Sequence, residues 1–154
     1  MRRGIAIALV TGLAVGLALS APPDKPVRLE LAKQPAGPEG GQHAMAVIDG
    51  RSGSKMTGKA VFSAMGRAVS LRIDVENAPP GTHAVHLHEK GDCSAPDAPP
   101  AGGHWHPTGQ AHGRWGESPF HHGDIGNLEV GPDGEGSVSR TTDVWSIGGT
   151  PETD

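Results

Sequence analysis

The chain has 154 residues, enough for one domain, with 17 acidic against 13 basic side chains and a formal net charge of −4. That balance argues against nucleic acid as a partner, which wants a basic face. Glycine (24) and proline (14) make up about a quarter of the sequence and aromatics 3%. Such a composition approaches the disordered class, and it also fits a small all-β domain whose long loops are tied down by metal.

Met1-Arg2-Arg3 is a positive start, and Ile5 to Leu19 is an apolar run broken by small residues and Thr11. Ala18-Leu19-Ser20 then offers a small-x-small cleavage pattern, so residues 1–20 read as a signal peptide. The run is shorter than the ~20 residues that a spanning helix needs. The expectation is an exported protein, periplasmic or extracellular, with no membrane contact after cleavage. Cutting after Ser20 takes Lys+Arg from 13 to 11 against 17 acidic residues, leaving about −6. Residues 21–41, rich in Pro, Gly and Ala, read as a flexible leader, and 42–154 as the folded domain.

Within that domain Ala44 to Asp49 is a short apolar strand candidate, followed by Met56 to Ala64 and Ala68 to Glu76. In the last of these Val69, Leu71, Ile73 and Val75 alternate with Ser70, Arg72, Asp74 and Glu76, the period of a half-buried strand. Ala78-Pro79-Pro80-Gly81 is a turn, and Thr82 to His88 a fourth strand with Val85 and Leu87 on one face. From residue 89 to 123 no periodicity survives; a loop this long in a compact domain is functional or disordered. Asp124 to Val130 and Gly136 to Thr142 resume strand character around Pro132-Asp133-Gly134, and Val144 to Ile147 follows. The class is all-β, with about six strands.

Eight of the nine histidines fall between residues 83 and 122, in a chain with one cysteine. Imidazole with a carboxylate, and no thiolate cluster, suits zinc and copper. His86 and His88, two apart on a strand, project to the same face, while His83 points the other way. His104, His112, His121 and Asp124 lie in the long loop and its exit; three imidazoles and one carboxylate make a closed tetrahedral zinc set. Against these stand plainer readings: two exposed histidines on a solvated edge, and a His-rich loop that binds metal loosely or not at all.

The context favours metal. Gly81-Thr82-His83-Ala84-Val85-His86-Leu87-His88-Glu89-Lys90-Gly91-Asp92-Cys93-Ser94 resembles the copper-binding segment of the copper/zinc superoxide dismutases. Gly102-Gly103-His104-Trp105-His106-Pro107, then His112-Gly113, then His121-His122-Gly123-Asp124 resemble that family's zinc loop in order and spacing. The resemblance runs from about Ala44 to Ile147. It implies a Greek-key β-sandwich or barrel, a type among which this family is counted. It further implies copper on His86, His88 and His104, zinc on His104, His112, His121 and Asp124, and His104 as the catalytic residue bridging the two ions. His83 matches a structural histidine, and His106 and His122 fall outside the ligand set. Superoxide is the implied substrate, turned over to oxygen and hydrogen peroxide.

Cys93 matches the family cysteine whose disulfide anchors the loop, with no partner in this sequence. In the family the chain continues past the segment resembling Thr142 to Thr150. That continuation carries the final strands, a fourth copper histidine, an aspartate linking the two sites, a steering arginine and the partner cysteine. None of these occurs before Asp154. A three-histidine copper set would hold Cu(I) better than Cu(II), and a sandwich lacking its last strands has an open edge that invites pairing with another chain, a homodimer included. The second functional class is therefore an exported copper- or zinc-binding protein on the same scaffold, without turnover.

Overall fold

The computed structural model describes residues 7–10, 41–95 and 99–149. Among the described residues seven antiparallel strands form one curled sheet: β1 (Ile7–Val10), β2 (His43–Asp49), β3 (Thr57–Met65), β4 (Ala68–Glu76), β5 (Gly81–Leu87), β6 (Asp124–Val130) and β7 (Gly136–Thr142). Their spatial order is β1-β5-β6-β7-β4-β3-β2. One short 3-10 turn, Pro99–Ala101, interrupts the loop between β5 and β6. Among the described residues no helix is long and apolar enough to cross a membrane. The all-β reading and the six strands expected after residue 41 hold, and no strand end differs from expectation by more than one residue.

The alternation in β4 sets the core. Val69, Leu71, Ile73 and Val75 are all buried, and their polar neighbours face out. Pairing β4 with β3 brings Phe62 opposite Leu71 and Ala60 opposite Ile73, and pairing it with β7 brings Val138 opposite Ile73 on the other side. Outside, Arg72 holds Asp74 at 2.6 Å in an exposed pair, which contributes little to stability. Leu87, Ile125, Leu128 and Trp145 join the same cluster from the other half of the sheet.

That sheet is really two halves with one hinge. β2, β3, β4 and β7 pair along their lengths, as do β5 and β6, but β6 meets β7 at a single register position, Val130 opposite Gly136. Beyond that point the two strands part, and the sheet folds over its own core. Val144 to Ile147, expected to follow as an apolar segment, adds no strand; Trp145 packs there against Phe62 and donates from Nε1 to the His122 carbonyl at 2.9 Å.

β1 was not anticipated as a strand. Ile7 to Val10 pairs antiparallel with the outer edge of β5, Ile7 opposite Leu87 and Val10 opposite Ala84. The remainder of the expected signal peptide and all but the last residue of the 21–41 leader lie outside the described residues.

Candidate metal centre

The centre is built where β5 and β6 end. Between Val85 and His86 the register slips: Val85 faces Gly126, His86 faces Asp124, and Ile125 is the extra residue. A bulge re-aims the side chains on either side of it. Here it lets His86 (9% exposed) and Asp124 (1%) confront each other, Nε2 to Oδ1, at 3.8 Å.

The loop after β5 returns across this end as a laced backbone. Trp105 N donates to Leu87 O (2.9 Å), Leu87 N to Gly123 O (2.8 Å), and Gly123 N to Trp105 O (2.9 Å). Gly123 is compelled by that lacing, since a Cβ would stand 2.5 Å from Leu87 O and 3.0 Å from Trp105 N. These bonds fix His104 beside β5 and His121 beside Asp124. His104 also forms an isolated bridge with His88, just past the end of β5.

Asp124 is the hub. Its Oδ2 accepts backbone N–H from His121 (2.9 Å) and Gly113 (3.0 Å), and its Oδ1 accepts from His112 Nδ1 at 2.9 Å. His104 Nδ1 and His121 Nδ1 each lie 3.5 Å from the same Oδ1. Burial works against ionisation of this carboxyl. The two backbone donors, reinforced by His112 and His121, outweigh it and hold the pKa below the usual value.

Around the hub the imidazoles are packed ring to ring. His104 stacks on His86 at 3.8 Å between centroids, and lies 5.4 Å from His88, 5.4 Å from His112 and 5.8 Å from His121. Burial, followed by repulsion from His104, pushes the His86 pKa down to about 4 despite the attraction of Asp124. Burial, followed by His88, lowers that of His104 as well. Both rings are therefore neutral near pH 7, the form that ligates metal.

Two buried nitrogens, His86 Nδ1 and His121 Nδ1, have no hydrogen-bond partner. Buried polar atoms are satisfied in nearly all folded proteins, so a pair of orphaned imidazole nitrogens beside an ionised carboxylate fits a cation. One ligand atom each from His86, His104, His112 and Asp124 falls within 4.8 Å of the others. His88 is pre-set differently: its Nδ1–H donates to Gly102 O at 2.9 Å, which leaves Nε2 as the lone-pair nitrogen.

All six expected ligands thus meet around His104. His86 thus groups with His104, His112 and Asp124, whereas the sequence pattern pairs His86 with His88. His83 behaves as a structural residue, buried and donating from Nε2 to Pro79 O at 2.6 Å. His43 hydrogen-bonds Ser63 Oγ across β2 and β3, at 3.0 Å. His106 is exposed and 3.6 Å from Glu89, and His122 lies against Trp105. Cys93 is a free thiol whose pKa burial pushes up.

Sequence reasoning passed over the second wall of the site. Arg140 and Trp115 line a cavity that His86, His112 and Asp124 also line. One signal was available: Arg140 is two residues from inward-facing Val138, so it too faces in.

The sequence profile described as copper/zinc superoxide dismutase (SODC) matches residues 56–154. The superoxide dismutase-like protein YojM of Bacillus subtilis is 31% identical over 140 residues, covering 90% of this chain and 70% of the relative. The superoxide dismutase [Cu-Zn] of Caulobacter vibrioides is 32% identical over 107 residues, covering 69% of this chain and 61% of the relative. An extracellular superoxide dismutase [Cu-Zn] of Caenorhabditis elegans is 32% identical over 100 residues, 65% of this chain and 45% of the relative. The crystal structure of the clock protein EA4 superposes with a TM-score of 0.63 at 26% identity, over 77% of this chain and 73% of that one. Profile, relatives, fold and clustered imidazoles agree: the chain belongs to the copper/zinc superoxide dismutase family.

Proposed function

We propose that the protein is an exported superoxide dismutase, with copper held by His86, His88 and His104 and zinc by His104, His112, His121 and Asp124. The observation that carries this reading is the position of the His104 ring, stacked on His86 and within reach of His88, His112 and His121. Copper would supply the one-electron chemistry, accepting an electron from one superoxide and passing it to a second. The balance is two superoxide anions and two protons giving oxygen and hydrogen peroxide.

The chain's own residues do the rest. His104, neutral at pH 7 with Nδ1 3.5 Å from Asp124, would be held between the two ions and could carry a proton to the departing peroxide. Asp124, fixed by two backbone N–H groups, orients His112 and His121 and gives the zinc side its negative charge. His88 is oriented by its bond to Gly102 O, the kind of outer contact that secures a metal ligand. The export reading rests on the 1–20 segment and on the extracellular relatives.

A second reading, an exported metal-binding protein without turnover, is supported by the "superoxide dismutase-like" name of YojM. Metal content and a dismutase assay on the purified chain separate the two. One copper and one zinc with turnover lost in His104→Ala is the enzyme's signature. Stoichiometric zinc, little copper and no turnover would establish the binding protein.

A further inference from the structure

Arg140 has no obvious task in the metal centre, yet it shares a cavity with it. Where β6 and β7 part, the Arg140 side chain spans the opening. Its Nε donates to Ile125 O at 2.8 Å and its Nη1 to Ser139 O at 2.9 Å, and its guanidinium lies over the Trp115 ring, 5.9 Å from the centroid. These contacts fix the plane of the fork without cancelling its charge. Among the described residues no carboxylate forms an ion pair with it, whereas Arg72 and Arg114 each have one. A half-buried guanidinium without a counter-charge is costly, and its fork geometry matches carboxylate and phosphate.

Its surroundings leave room for such a partner. The cavity holds about 530 Å³ and is also lined by Gly126, Asn127, Trp115 and Arg114, within the range of small-molecule sites. Gly126 keeps the space beside the fork open: its φ is +90°, and a Cβ would stand 3.2 Å from Arg140 Nη2. Asn127 also lines the cavity, as does exposed Arg114, whose charge is met by Glu117 at 3.4 Å. Asp124 on the same wall is a weak deterrent, because two backbone N–H groups and His112 already engage its oxygens.

We propose that this cavity binds a small oxyanion, a carboxylate or phosphate, with Arg140 as the anchoring residue. The site itself stands on the arginine and cavity alone. Its coupling to the metal centre rests on the zinc reading above: a cation beside His86 and Asp124 makes the shared wall more positive, so oxyanion and zinc each tighten the other by the same factor. A purely structural Arg140, bracing Ile125 and Trp115, would show no such ligand.

The test uses the full chain, metal-free and zinc-loaded, at constant chloride. Phenylglyoxal modification is mapped residue by residue with inorganic phosphate or acetate added as probe. Phosphate or acetate should slow modification of Arg140 about tenfold at saturation while Arg72, outside the cavity, reacts as before. Calorimetric titration should show phosphate affinity falling about tenfold or more in both Arg140→Gln and Arg140→Lys, since losing the fork removes charge-assisted bonds. The protection arm needs no variant, so a misfolded variant leaves it intact. Unprotected Arg140, or phosphate binding unchanged in folded variants, overturns the proposal, including the case where phosphate binds zinc directly. Protection in the metal-free protein with no zinc uptake would uphold the oxyanion site and remove the metal reading instead.

Discussion

Asp124 satisfies one demand of a buried site and creates another. Two loop amides and the His112 ring need an acceptor, and the carboxylate supplies it; in return a negative charge sits almost wholly buried. In Asp124→Asn either the two amides, which share Oδ2, or the His112 ring on Oδ1 meets an NH₂ group instead of an oxygen. Such a loss leaves a buried donor unsatisfied, so the metal-free protein should lose about 1–3 kcal/mol in urea unfolding, and zinc uptake should fall below stoichiometric. Unchanged urea stability would show that the loop amides find other partners. Titration acts on the same cluster. The folded-state pKa of His86 is depressed, from 6.5 to about 4, so below 6.5 the unfolded chain takes a proton that the folded one refuses. Asp124, also depressed, adds loss in the same direction as pH falls through its folded value. Stability of the metal-free protein is therefore full above about 6.5 and declines toward 4, by up to about 3 kcal/mol from His86 alone. Urea midpoints measured across that window check it, and His86→Gln should flatten the slope. A midpoint that rises on acidification would contradict the buried, neutral ring.

At the scale of elements, the strands were legible because their side chains alternate, and β4 shows why that works: every apolar residue on one parity is buried. The histidine cluster was legible for a different reason, since histidines at strand ends and loop exits carry their spacing into space. What the linear pattern hides is the bulge at Ile125 and the parting of β6 from β7, both consequences of curling the sheet. Arg140 gained a cavity by that curl, and His86 gained Asp124. β1 was hidden because Ile7 to Val10 belongs to an apolar run that a signal peptide explains equally well. Its pairing gives β5 an outer neighbour along Ala84 to Leu87, with Ala8 opposite His86. Under the export reading the mature chain begins at Ala21 and loses that neighbour, and an exposed edge is a template for another strand. A chain beginning at Ala21 should therefore associate with rising concentration in light scattering, while the 1–154 chain stays smaller at equal concentration. Identical masses at all concentrations would mean that the β5 edge is blunted by other means.

For the molecule as a whole, an ion at the candidate centre would also fasten the loop between β5 and β6. Residues 89–123 carry His104, His112 and His121, and Asp124 follows at once, so a bound ion ties three points of one loop to the end of β5. Without it the loop depends on the laced amides around Leu87, Trp105 and Gly123 and on Trp145 reaching the His122 carbonyl. Arg114 stands in that loop with its side chain 79% exposed, so trypsin needs only a local opening to cut after it. Opening of a segment held by a ligand is suppressed by the binding free energy, about 4 kcal/mol when zinc is present at a thousand times its dissociation constant. Zinc should then slow cleavage at Arg114 by about a thousandfold where cutting follows the open population, and a chelator should restore the fast rate. Cleavage after Arg72, on β4 in the other half of the sheet, should change far less. If both sites respond equally, zinc stabilises the fold globally and the loop opens only with everything else. A selective effect at Arg114 would instead make the loop its own unfolding unit, held shut by the ion it encloses.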